Sequence, residues 1–353
     1  IIDIYDVSFF LLGVAGDGKE TAEPVKEFYD LRENPGGREF NVANRDMSWR
    51  FVAKQDGYCR MTLRDLFNQT TSDPSRGYVM ALRRENPDFR LVAHPETVSA
   101  NDDKNKTIEL MVTHLRNGGT QPIRIIALRE GNYNGPITVT AKGLPEGVIL
   151  HSCEIKSGEK SATAFLSARG TKETYAGNIQ FEGKAKIGDR MVVRTALSAV
   201  TIHRVGDYEK DPVFTRFSKE YAISVNAEDP EPIQLTFNGD NPFTGLVNGK
   251  ISIPFKLKRI SGYNEKIKLN VIGVNQLEKF EGLALPKEQT EAKLEIDLAK
   301  FKIPPGRHSI NLATTVKGKY KFPSINGKKT DKNKDVTYQT FSPPVEIEVK
   351  ANP

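Results

Sequence analysis

Cysteine is nearly absent. The 353 residues contain two, Cys59 and Cys153, placed in what read as separate domains, so a disulfide framework of the kind that staples small secreted folds is excluded. Histidine is scarce too: His94, His114, His151, His203 and His308 stand alone, with none of the spacing that sets two imidazoles on one zinc ion. No run approaches the roughly 20 apolar residues of a membrane-spanning helix; the longest, Phe9 to Val14, is about one strand long. The chain opens on Ile1, without a signal-peptide pattern, and its first residues already alternate, so a fragment or processed form is expected. Scarce cysteine leaves the compartment open.

Signatures of catalysis are equally thin. Gly13, Gly16, Gly18 and Lys19 follow an apolar run and nearly spell a phosphate-binding loop. However, Glu20 stands where Ser or Thr should meet magnesium, and Pro24 interrupts the helix whose N-terminus would face phosphate. A Gly-Asp-Gly hairpin fits these residues better. There is no Gly-x-Ser-x-Gly elbow, and no local context marks a Ser, His and Asp trio, which assembles only in space. The chain is expected not to be an enzyme and to need no cofactor. Asn101, Asp102, Asp103 and Asn105 could offer oxygens to a structural calcium ion, but the segment lacks the glycine and closing glutamate of an EF-hand; a polar linker is the plainer reading.

What the sequence has in quantity is alternation. Apolar residues recur with a period near two in Cys59 to Leu63, Ile123 to Leu128, Ile137 to Ala141, Ser161 to Leu166, Met191 to Val200, Ile251 to Leu257, Ile267 to Ile272, Lys293 to Leu298 and Val345 to Val349. That is the mark of strands with one buried face. Turn residues separate them, as at Asn117-Gly118-Gly119, Asn134-Gly135-Pro136, Asn248-Gly249 and Pro304-Pro305-Gly306. Helical stripes are almost missing, and the spacing predicts an all-β chain of tandem β-sandwiches. Its length suits two or three domains of about 100–150 residues.

An internal repeat sharpens this. Pro122 to Arg129 leads to Tyr133-Asn134 and then Ile137; Pro254 to Arg259 leads to Tyr263-Asn264 and then Ile267, with the same Arg-to-Tyr-to-Ile spacing. Gly143-Leu144-Pro145 finds a looser echo in Leu283 to Pro286, and Glu159 to Leu166 in Glu291 to Leu298. The Arg and Tyr-Asn pairs could form a duplicated ligand site, but they read better as residues that fix a hairpin in each copy. Boundaries follow at 1–90, 91–204 and 205–353, with His94 to Lys106 and Gly206 to Pro212 as polar linkers.

The first segment carries a family pattern. Trp49 to Ala53, Asp56-Gly57-Tyr58, Met61 to Asp65 and Gly77 to Leu82 form an ordered series. It resembles the closing strands of the bacterial pre-peptidase C-terminal domain: an apolar strand, an Asp-Gly-Tyr turn, a strand ending in Asp, and a Tyr-led final strand. Asp73-Pro74, Asn86 to Leu91 and the Gly143 to Val148 turn are similar to the version in large exported bacterial proteins, where immunoglobulin-like sandwiches follow. The similarity spans roughly residues 1 to 205, departs from the pattern at Cys59, and lacks the family's opening strands. It implies a truncated jelly-roll or sandwich domain at 1–90, then two immunoglobulin-like domains. It further implies an extracytoplasmic location (periplasmic, cell-surface or secreted), a binding or structural role, and protein or glycan partners at the cell envelope. The alternative is an accessory region of a secreted peptidase or other hydrolase whose catalytic domain lies outside this chain.

The formal charge of +6 is dilute over this length. Much of it gathers in Lys317, Lys319, Lys321, Lys328, Lys329, Lys332 and Lys334, interrupted by Pro323, Asn326 and Gly327. These lysines are the candidate anionic-ligand loop, and a solvated hairpin loop is the plain reading. Only Tyr320 and Phe322 stand among them, too few for a base-stacking platform, so nucleic acid is not an expected partner.

Overall fold

The computed structural model describes residues 7–14, 20–21, 59–65, 84–95, 112–203, 214–239, 241–260, 262–277, 279–321 and 333–351. The chain divides into two compact units, Ile1–Pro87 and Asp88–Pro353. In the first unit β1 (Val7–Val14) lies between β2 (Glu20–Thr21) and β3 (Cys59–Asp65), antiparallel to both. Gly13 pairs with Thr21 and Val14 with Glu20, a strand pairing where a phosphate-binding loop requires a helix start. The Trp49 to Ala53, Asp56 to Tyr58 and Gly77 to Leu82 segments of the family pattern lie outside the described residues, as does the Asn101 to Asn105 calcium candidate.

Among its described residues the second unit has strands as its only regular elements apart from one 3₁₀ turn. In chain order its first half holds β4 (Asp88–Pro95), β5 (Thr113–Asn117), β6 (Thr120–Glu130), β7 (Ile137–Lys142), β8 (Val148–Leu150), β9 (Cys153–Ile155), β10 (Ser161–Ala168), β11 (Tyr175–Ile187), β12 (Arg190–Thr195), β13 (Leu197–His203), β14 (Phe214–Ser218) and β15 (Tyr221–Pro230). One sheet runs β14-β13-β4-β6-β10-β8 and the other β5-β15-β11-β7-β9, with β12 on the far half of β11. Phe89, Leu91, Ile123 and Ile125 from the first sheet meet Ile137, Ile155, Phe181 and Ile223 from the second in one buried core. The Phe181 and Tyr221 rings pack edge to face at 5.2 Å. Two sheets closed on one core make a β-sandwich.

The second half repeats the plan with β16 (Ile233–Phe237), β17 (Phe243–Leu246), β18 (Lys250–Arg259), β19 (Ile267–Ile272), a 3₁₀ turn at Asn275–Leu277, β20 (Leu283–Leu285), β21 (Glu291–Asp297), β22 (Gly306–Lys321), β23 (Asn333–Phe341) and β24 (Val345–Lys350). Its sheets are β16-β18-β21 and β17-β24-β22-β19-β20, with β23 on β22. The correspondence is residue by residue. Ser161 faces Ile126 and Glu291 faces Lys256, and β5 pairs parallel to β15 as β17 does to β24. Both long strands, β11 and β22, exchange a neighbour for a hairpin partner midway. In β18 the alternation is clean, with Ile251, Ile253, Phe255 and Leu257 buried between Lys250, Ser252, Lys256 and Lys258.

The Arg and Tyr-Asn repeat fixes a hairpin in each copy. Arg129 donates through its terminal nitrogens to Gly135 O at 2.5 Å and Lys156 O at 2.9 Å; Arg259 donates to Glu265 O at 2.8 Å and Pro286 O at 2.9 Å. Each arginine thus grips the carbonyls six and 27 residues ahead of it. Arg129 also lies over the Tyr133 ring, 5.6 Å from its centre, and Tyr133 N and Tyr263 N close the same turn onto Glu130 O and Ile260 O, both at 3.1 Å.

Four expectations need correction. The boundary at 204/205 is crossed: β14 pairs with β13 and β15 with β11, so the first core draws on residues as late as Val225. Its start at Leu91 cuts β4, whose Phe89 is fully buried, and His94 and Pro95 belong to that strand rather than to a linker. Met191 to Val200 is two strands: it breaks at buried Ala196, whose amide binds Phe181 O at 2.8 Å, and the chain passes from one sheet to the other. The looser echoes were out of register, because the sandwiches match Cys153–Ile155 with Leu283–Leu285 and Ser161 with Glu291.

Candidate functional site

The described ends of the lysine segment are two antiparallel paired strands, β22 and β23. Lys317, Lys319 and Lys321 lie on β22, opposite Thr337, Asp335 and Asn333, and Lys334 lies on β23 opposite Tyr320. Their place in strands follows from β22 continuing past its sheet neighbours to pair only with β23. Lys328, Lys329 and Lys332 lie outside the described residues. Lys317 and Lys319 are exposed and, with Gly318, Asp335 and Thr337, line an open groove of about 480 Å³. Asp335 beside Lys319 partly cancels the field an anion would meet. The basic excess is nonetheless local: from residue 231 onward there are 20 Lys and Arg against 13 Asp and Glu, so this half carries all of the chain's net positive charge.

Among the described residues the densest polar construction lies where the two sandwiches meet, and of it only the Asn117-Gly118-Gly119 turn is predicted from the sequence. The turn after β5, Asn117-Gly118-Gly119, is the socket. Asn117 O accepts from Glu231 N at 2.9 Å and from Gln234 Nε2 at 3.4 Å, while Asn117 Nδ2 donates to Thr171 O and Ala227 O, both at 3.3 Å. Glycine serves both turn positions, the first by its backbone conformation and the second by leaving room for the Glu231 carboxyl. Gly118 has φ +84°, and a Cβ there would fall 1.9 Å from Gln234 Nε2; a Cβ on Gly119 would fall 2.7 Å from Glu231 Oε2. Beneath the turn, Arg116 Nε meets Asp229 Oδ2 at 2.9 Å with both side chains 6% exposed. The Glu231 side chain, in a residue 3% exposed, accepts a hydrogen bond from the Thr340 hydroxyl of β23. Burial pushes the Glu231 carboxyl up to about 7; Asp229 adds to the rise, and the Thr340 hydroxyl and Arg116 oppose it.

Other polar contacts are integral to the sheets. His151 Nε2 lies 2.8 Å from Ser167 Oγ, which lies 2.7 Å from Thr120 Oγ1. Ser167 is 1% exposed, so its oxygen has no approach for a substrate. Burial lowers the His151 pKa, with a smaller push from Arg169. A second pair joins His114 Nδ1 to Ser224 Oγ at 2.7 Å between β5 and β15. Cys153 is a buried free thiol, pushed up to about 12 by burial and then by Glu154, which keeps it from forming the reactive thiolate near neutrality. Among the described residues no group of three His, Cys, Asp or Glu could hold a metal ion, and no helix is long and apolar enough to cross a membrane. No family model matches the chain, and no curated protein matches it.

Proposed function

We propose that this chain is a non-catalytic binding and spacing part of an exported bacterial protein, with two immunoglobulin-like sandwiches holding a partner site at a set distance in the cell envelope. The observation that carries this reading is the joint. Two copies of one sandwich meet through a socketed turn and the buried Glu231 to Thr340 hydrogen bond, with a buried ion pair of the first sandwich beneath them, a construction suited to fixing direction rather than to performing chemistry. The strand orders β16-β18-β21 and β17-β24-β22-β19-β20, with a parallel edge pair, support the immunoglobulin-like assignment. The resemblance at residues 1 to 90 supports the exported setting. Partners in this reading are envelope proteins or glycans, and Lys317 and Lys319 are where an acidic glycan would touch.

The test is co-sedimentation of the full chain with bacterial envelope fractions, followed for both retention and turnover. Saturable retention without consumption of peptides or glycans is expected. Repeated turnover of either substrate class, or no retention by any fraction, would contradict the reading. If the retaining partner is an acidic glycan, two lysine contacts limit the loss of affinity to about tenfold between roughly 50 and 200 mM salt, and K317E/K319E abolishes retention.

A further inference from the structure

We propose that the joint between the two sandwiches is a proton-sensitive coupling, docked when the Glu231 carboxyl is neutral and loosened when it ionises. The argument begins with a charge count. The charged groups facing Glu231 are Arg116 from β5 and Asp229 from the end of β15; β23 presents the neutral Thr340 hydroxyl, β16 the neutral Gln234 amide, and the turn the backbone of Gly119. One guanidinium therefore confronts two carboxyl groups in a space closed to water. Arg116 is in direct contact with Asp229 at 2.9 Å, so its charge is already matched. A second buried carboxylate would be uncompensated, and the low-dielectric surroundings favour keeping a proton on it. Glu231, held by a hydroxyl rather than by a cation, is the group that keeps that proton.

Glu231 is also placed to transmit its charge state. Its backbone amide is bonded to Asn117 O, and its side chain joins the segment entering the second sandwich to β23. Ionisation draws water toward the carboxylate, which lies between the Gly119 turn and Thr340, the surfaces whose contact couples the sandwiches. The sign follows from linkage. The folded joint holds a proton that the unfolded chain releases above about pH 4.5, so docking is strongest at acid pH, weakens as pH rises toward about 7, and stays weak above it. This holds whatever the sandwiches bind.

Residual dipolar couplings measured on the full chain between pH 5.5 and 8.5 test it. One shared alignment tensor for the two sandwiches is expected at the acid end and two diverging tensors above pH 7.5, with E231Q sharing one tensor throughout. A shared tensor across the whole range in the native chain, or an unchanged profile in E231Q, overturns the proposal. If E231Q does not fold, T340V decides: the Thr340 hydroxyl favours the ionised carboxylate, so its loss moves the transition to higher pH, and an unmoved transition overturns the proposal.

Discussion

Arg116→Ala is expected to destabilise the Asp88–Pro353 unit by about 3–5 kcal/mol, because removing one member of a buried ion pair strands the other without a counter-charge. Here the penalty falls on two groups at once. Asp229 loses the guanidinium 2.9 Å away, and Glu231 loses the positive charge that opposes the rise of its pKa. Replacing Arg116 and Asp229 together by leucine removes the charge imbalance at that pair and should recover most of the loss, since buried ion pairs exchange for apolar packing at little net cost. Urea denaturation of the full chain followed by circular dichroism checks both expectations. An R116A loss below about 1 kcal/mol would match a solvent-exposed pair instead and would mean the joint is open to water.

Gly183→Val should be of similar size for a different reason. Gly183 lies on β11 where the two sheets of the first sandwich approach. A Cβ there would sit 2.3 Å from Leu91 Cδ1, 2.9 Å from Ile137 Cγ2 and 3.1 Å from Phe89 Cε2. Leu91, Ile137 and Phe89 are themselves buried in that core and have no solvent to swing into, so the sheets must separate, at about 3 kcal/mol or more. Gly188 is the control. It has φ +59° and nothing within 4 Å of its added Cβ, so Gly188→Ala carries only backbone strain of about 1–2 kcal/mol. The same denaturation experiment ranks them; equal losses would place the cost in glycine's backbone freedom rather than in the core.

The sandwiches were legible from sequence where one face is dry and the other wet. Ile251, Ile253, Phe255 and Leu257 alternate with polar residues because β18 has solvent on its outer side. On β6 the pattern blurs, since Ile126 on the outer face is as buried as Ile125 on the inner one, and the alternation over Ile123 to Leu128 stops short of the strand's limits. The arginine repeat was visible because a guanidinium gripping carbonyls six and 27 residues on needs the same residue at the same spacing in both copies. Alternation does not show that β14 and β15 join the first sandwich, because pairing across a sheet leaves no mark in it.

The joint was hidden for the same reason in stronger form. Arg116 finds its acid at position 229, and Glu231 its hydroxyl at 340; neither separation can be read from one sequence. Only the Asn117-Gly118-Gly119 turn and the alternation of acid and proline over Asp229 to Pro232 mark the place. The lysine candidate is the opposite case. Seven like charges stand out in a string of letters, but strand pairing spreads the four described ones along two strands and sets Asp335 opposite Lys319.

The central claim is that one sandwich occurs twice, with an offset of 130 residues carrying β5 through β10 onto β17 through β21 and the same backbone hydrogen bonds in each copy. Ala127 N binds Lys160 O and Leu257 N binds Thr290 O; Gly119 N binds Arg116 O and Gly249 N binds Leu246 O; Ala168 N binds Gly119 O and Leu298 N binds Gly249 O. Amide hydrogen exchange resolved to single residues in the full chain measures this directly. The account predicts slow exchange at both members of each pair, 127 with 257, 119 with 249 and 168 with 298. Protection in one copy with free exchange at the matching positions of the other would contradict it.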